Sequence, residues 1–106
     1  MFKFGALVPP TATAVSGAAT LKGQKGKVTS EALTTAAASN YTLTITNSEV
    51  SASNMALASV AYGTTTQGTP VVSRVTCGSG TITVVVKNDH ATDAFNGTIV
   101  VSFAVL

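Results

Sequence analysis

The chain has 106 residues, 45% of them hydrophobic and 9% charged, with a formal net charge of +2. That length holds one domain, the apolar fraction excludes intrinsic disorder, and the charge is far below what neutralising many phosphates requires, so no nucleic-acid partner is expected. Four acidic side chains (Glu31, Glu49, Asp89, Asp93), His90 and Cys77 are little material for acid–base or metal chemistry, so no catalytic residue, cofactor or metal is expected.

One cysteine excludes an internal disulfide, leaving the core or a partner to stabilise a small domain. Soluble domains carry about a quarter of their residues as charges, so surface normally given to charge is expected to be covered, in a homo-oligomer (trimer or dimer).

At the N-terminus, Met1-Phe2-Lys3-Phe4-Gly5-Ala6-Leu7-Val8-Pro9-Pro10 has too short an apolar run for a secretory signal, which needs about 7 to 15 apolar residues. No stretch reaches the ~18 apolar residues of a membrane helix, so no membrane partner is expected. Residues 1–21 read as an N-terminal arm or edge strand, with weak strand candidates at Phe2–Val8 and Ala12–Leu21, and residues 22–106 as the folded domain. Lys22-Gly23-Gln24-Lys25-Gly26-Lys27 reads as a flexible loop holding three of the six basic residues, suited to an acidic partner surface. It lacks the GxxxxGK[ST] spacing of a phosphate-binding loop.

Beyond it, Val28–Leu33 reads as a strand and the alanine-rich Leu33–Asn40 as a loop with at most one turn. Tyr41–Thr46 alternates strictly, with Tyr41, Leu43 and Ile45 on one face and threonines on the other. Met55–Tyr62 and Val71–Cys77 are further strands, separated by the Gly63–Pro70 loop. A tight turn at Cys77-Gly78-Ser79-Gly80 leads into Thr81–Lys87, with Ile82, Val84 and Val86 inward. Asn96-Gly97 reads as a hairpin turn before Thr98–Leu106, with Ile99, Val101, Phe103 and Val105 inward. Seven or eight short strands rich in Thr, Val and Ile predict an all-β fold, an antiparallel β-sandwich of jelly-roll or immunoglobulin-like topology.

Asn88-Asp89-His90-Ala91-Thr92-Asp93-Ala94-Phe95-Asn96 gathers the best candidate metal ligands, but its spacing matches neither an EF-hand nor a zinc site. Asx turns, in which these side chains bond their own backbone, are the expectation. Cys77, with no histidine near it in sequence, reads as a packing residue rather than a nucleophile.

The segments Lys27–Ala37, Tyr41–Ser48, Gly68–Val72, Val85–Ala91 and Phe95–Ile99 together resemble a recurrent small virion protein of tailed bacteriophages. The resemblance spans roughly residues 26–104 and implies a short β-sandwich module without catalysis, serving as a capsid decoration (cement) protein or a fibre part. The length, with no coiled coil or stalk, favours decoration: copies bound between major capsid protein subunits on the capsid surface of the virion, made in the host cytoplasm. On that reading, Phe2 and Phe4 of the arm and Lys22, Lys25 and Lys27 are the expected partner contacts. The alternative is a head- or tail-fibre module binding a receptor or carbohydrate. Sugar stacking asks for exposed aromatics, and the chain has no Trp, two Tyr and four Phe. A pilus subunit would expose sheet edges but also needs a secretion signal.

Overall fold

A computed structural model describes residues 10–106; the strand candidate Phe2–Val8 and the contact candidates Phe2 and Phe4 lie outside the described residues. The described chain is all-β, with eight strands and no helix: β1 (Thr11–Thr13), β2 (Ala18–Thr20), β3 (Lys25–Thr29), β4 (Asn40–Thr46), β5 (Ala56–Tyr62), β6 (Pro70–Gly78), β7 (Thr81–Asn88) and β8 (Ile99–Val105). They form two four-stranded sheets packed as a sandwich: sheet A in the order β1-β3-β8-β5, and sheet B in the order β2-β4-β7-β6.

The chain changes sheet at every connection except the β6–β7 turn, where Gly80 takes the positive φ of +76° that closes the hairpin. Pairing is nested, since β3 joins β8 and, inside that pair, β4 joins β7, both antiparallel. An immunoglobulin sandwich interleaves its pairs instead, with the ABED and CFG orders. The sheets are mixed rather than purely antiparallel, because the two three-residue strands from the first 21 residues pair in parallel, β1 with β3 and β2 with β4. They serve as outer strands of the domain, and Ala14, Ala19 and Leu21 beside them are buried.

Strand alternation builds the core. Leu43 and Ile45 of β4, Ile82, Val84 and Val86 of β7, Val28 of β3, and Ile99 and Val101 of β8 all face inward at 0% exposure. Each such aliphatic side chain contributes about 1.5–3 kcal/mol when fully buried. Burial falls off toward β5 and β6, where Ala56, Ala58, Val60, Val72, Val75 and Cys77 are only partly covered.

Two sequence expectations change. The strand expected at Val28–Leu33 begins at Lys25 and ends at Thr29, so Lys25 and Lys27 lie on a strand and not on a flexible loop. Gly26 between them faces inward, where an added Cβ would collide with Leu21 and Phe103; it fits a packed position rather than a loop. Asn96-Gly97 is not a hairpin turn, because β7 and β8, on either side of it, belong to different sheets. Gly97 instead forms an isolated bridge with Leu33, its carbonyl accepting from the Leu33 N–H at 2.9 Å.

Candidate docking surfaces

In β3, alternation turns Gly26 and Val28 into the core and Lys25 and Lys27 outward, where both are exposed. Register then sets rows across the outer face of sheet A. Lys27 pairs with Ser102, which pairs with Ser59, and Lys25 pairs with Ala104, which pairs with Leu57. Because Ser59, Ser102 and Ala104 are small, this face sinks into a shallow groove of about 260 Å³, lined by Leu57, Ala58, Ser59, Ser102, Phe103 and Ala104.

Large apolar side chains stand at one end of the groove: Leu57 at 60% exposure, Met55 at 66% and Leu106 at 67%. The Leu106 N–H donates to the Met55 carbonyl at 2.7 Å, and Asn54 Nδ2 donates to the Leu106 carbonyl at 3.4 Å, which holds this apolar group together. Lys22 is exposed at the approach to β3. None of β1, β3, β5 and β8 contains an Asp or Glu, so the face is apolar with a positive border. The outer face of sheet B differs: Thr42, Thr44 and Thr46 of β4 stand beside Val85, Thr83 and Thr81 of β7, a polar, threonine-rich surface.

The opposite kind of chemistry, fully internal bonding, marks the loop that starts at Asn88. Asn88 is 0% exposed. Its Nδ2 donates to the Thr35 carbonyl at 3.1 Å and the Asp93 carbonyl at 2.9 Å, while its Oδ1 accepts from the Thr69 N–H at 3.0 Å and the His90 N–H at 3.2 Å. One amide thus joins three loops, a role that sequence spacing hides because Thr35 and Thr69 are remote in the chain. His90 Nδ1 accepts from the Thr92 and Asp93 N–H groups at 3.1 and 2.9 Å. Asp93 lies 3.7 Å from His90 Nε2, and Asp89 lies 3.5 Å from Lys87 Nζ. These are the self-bonded turns expected of Asx-rich sequence, and the two carboxylates are committed to different neighbours. No group of three His, Cys, Asp or Glu gathers among the described residues.

Asn96 performs a similar service nearby. Its Oδ1 accepts from Thr65 Oγ1 at 2.8 Å and the Thr66 N–H at 2.7 Å, tying the Gly63–Pro70 loop to the entrance of β8. Tyr41 donates its hydroxyl to Glu31 Oε1 at 2.8 Å. Burial, and next the Glu31 carboxylate, push this phenol above its ordinary range. Cys77 is half-buried and packs against the core.

Of the expected contact residues, the structure therefore places Lys25 and Lys27 together on one sheet face, with Lys22 at its approach. What sequence reading missed is the apolar half of this surface, Met55, Leu57 and Leu106. Their signal was the odd-numbered parity of Leu57 within Met55–Tyr62, opposite to the inward Ala56, Ala58 and Val60. Comparison with protein-family models, with curated proteins and with solved structures finds no match for this chain.

Proposed function

We propose that this protein is a structural virion module of a tailed bacteriophage, a capsid decoration or cement protein that docks the outer face of sheet A onto the shell between major capsid protein subunits. The observation that supports this reading is the composition of that face. Exposed Met55, Leu57 and Leu106 stand at one end of a shallow groove, the lysines at positions 25 and 27 border it, and no strand of sheet A carries an acid. An apolar patch beside a basic border suits a mostly apolar protein partner bearing acidic groups. The nested pairing is that of a reduced jelly roll, and the polar side chains at Asn88 and Asn96 are spent on bonds within the fold. Function on this reading is mechanical: bound copies bury apolar surface across subunit boundaries and hold the shell against internal pressure, on the outside of the virion.

The test is binding to purified, undecorated phage heads, read by co-sedimentation and by cryo-electron microscopy of the decorated shell. Saturable binding at fixed lattice positions, weakened at least tenfold in a Lys25→Glu, Lys27→Glu variant, is the expected result. Binding that ignores those changes, or heads that take up no protein, overturns the reading.

A further inference from the structure

The two long outer strands of the sandwich are built differently. β6 begins at Pro70, which has no N–H to donate, breaks register between Val72 and Arg74, and carries the Arg74 charge. Those are the features that turn an added strand away. β5 has none of them. It runs in unbroken register against β8 from Ala56 with Val105 to Tyr62 with Ile99, and no other described strand pairs with its far side. The sequence carries no charged residue from Val50 to Ser73. Around β5 the core is also incompletely covered, with Ala56, Ala58, Val60, Val72 and Val75 only partly buried.

We propose that β5 is the contact between two copies of this chain, paired antiparallel about a two-fold axis that passes beside Ser59. That register brings the whole of Ala56–Tyr62 into pairing. It sets Ala56 against Tyr62 of the second copy, Leu57 against Ala61, Ala58 against Val60 and Ser59 against its equivalent. Every non-identical pair matches a larger side chain with a smaller one, which is the complementarity a self-pairing strand requires. β5 itself carries no charge, so the strand pairing opposes no like charges across the axis. The lysines at position 27 of the two copies are five strand spacings apart, about 24 Å, and beyond the reach of unscreened repulsion at physiological salt.

The paired edge of β5 is about 23 Å long and about 10 Å deep, roughly 230 Å² per copy, from strand rise and sheet thickness. That is the area of a weak contact held mainly by the backbone ladder, so the dimer forms in a concentration-dependent way at tens of micromolar or above. Both outer faces of sheet A then point the same way in one continuous eight-stranded sheet. If that face docks on a shell, as proposed above, the pair grips two neighbouring sites at once; the pairing itself does not depend on that reading.

The experiment is sedimentation velocity of the full chain over a concentration series, with Ser59→Lys, Ser59→Glu and Thr42→Lys. Thr42 is exposed on the far face of sheet B, so it carries the same charge change away from the axis. The expected result is a monomer–dimer equilibrium for the native chain and for Thr42→Lys. Either Ser59 variant alone should associate at least tenfold more weakly, and an equimolar mixture of the two should recover association, which a misfolded variant cannot do. A native chain that stays monomeric to about 1 mM, a dimer indifferent to both Ser59 variants, or a higher oligomer as the sole assembled species overturns the proposal. Head binding measured on the same samples separates the two readings, since shells that bind nothing leave the dimer standing.

Discussion

Lys27 and Ser59 lie in one cross-strand row of sheet A, joined through Ser102, which pairs with both. The row is about 10 Å long, two strand spacings, and it connects the basic border of the docking face to the open edge of the sheet. Charge lies at one end of the row and a charge-free strand at the other, so the lysine border can face a shell while the backbone edge of β5 serves a second copy; Leu57 and Ser59, which line the groove, lie at the junction of the two.

The apolar half of the docking face can be removed without harm to the fold. Met55 and Leu57 are 66% and 60% exposed, so Met55→Ser with Leu57→Ser should leave the urea unfolding free energy within about 0.5 kcal/mol of native. The same variant should lose at least tenfold in affinity for undecorated heads, since a few large apolar anchors carry most of the energy of such an interface. Parallel denaturation and co-sedimentation measurements check both halves.

Asn88 should be the least replaceable polar side chain. Asn88→Ala leaves the Thr35 and Asp93 carbonyls and the Thr69 and His90 N–H groups without their partner, and several newly unsatisfied groups at a buried site cost about 3 kcal/mol or more. Asn88→Asp keeps the size but turns an acceptor, and a buried charge, toward two carbonyl oxygens, so it should be no better at neutral pH. A variant of either kind that unfolds at the native urea concentration would show that water replaces the amide.

Two glycines with positive φ make a controlled pair. Gly80 (φ +76°) has open space where a Cβ would go, whereas at Gly68 (φ +88°) a Cβ would come within 2.5 Å of the Phe95 ring. Gly80→Ala should cost about 1–2 kcal/mol, the left-handed backbone penalty alone. Gly68→Ala carries that penalty and displaces Phe95, which is 2% exposed, so it should cost at least about 3 kcal/mol. Urea midpoints at equal slope give the comparison.

The strands legible in sequence are those rich in β-branched residues whose inward positions recur with period two. Tyr41–Thr46 alternates strictly, Thr81–Lys87 and Thr98–Leu106 place every second residue inward, and the three match β4, β7 and β8 within a residue or so at their ends. β3 was read late because glycine and lysine both suggest a loop, yet Lys25-Gly26-Lys27 is an alternation too, with Gly26 as the inward residue that Leu21 and Phe103 leave no room to enlarge. The Asn96-Gly97 hairpin failed for a related reason: a local turn preference gave way to long-range bonds from Asn96 to Thr65 and Thr66. The lysines of the docking face could be named from sequence, but their common face needed the register of β3 on β8. Asn88 looked like one more turn residue, because its partners at Thr35 and Thr69 come together only when three loops meet.

Stability should fall at alkaline pH through Tyr41. Its folded phenol is held above the ordinary value of about 10, by burial first and by the Glu31 carboxylate, which accepts the hydroxyl's hydrogen bond at 2.8 Å. Below about pH 10 the phenol is protonated in both folded and unfolded chains and contributes no pH dependence. Above it the unfolded chain releases the proton while the folded chain retains it, so the unfolded state binds fewer protons and unfolding becomes easier as pH rises. Tyr41→Phe keeps the ring in the core and removes the ionisable group. The variant should lose some stability at neutral pH with the Glu31 bond, about 1 kcal/mol, and show a flatter decline between pH 10 and 12. Urea midpoints across that range test the assignment, and equal slopes for the native chain and Tyr41→Phe would place the alkaline sensitivity elsewhere in the fold.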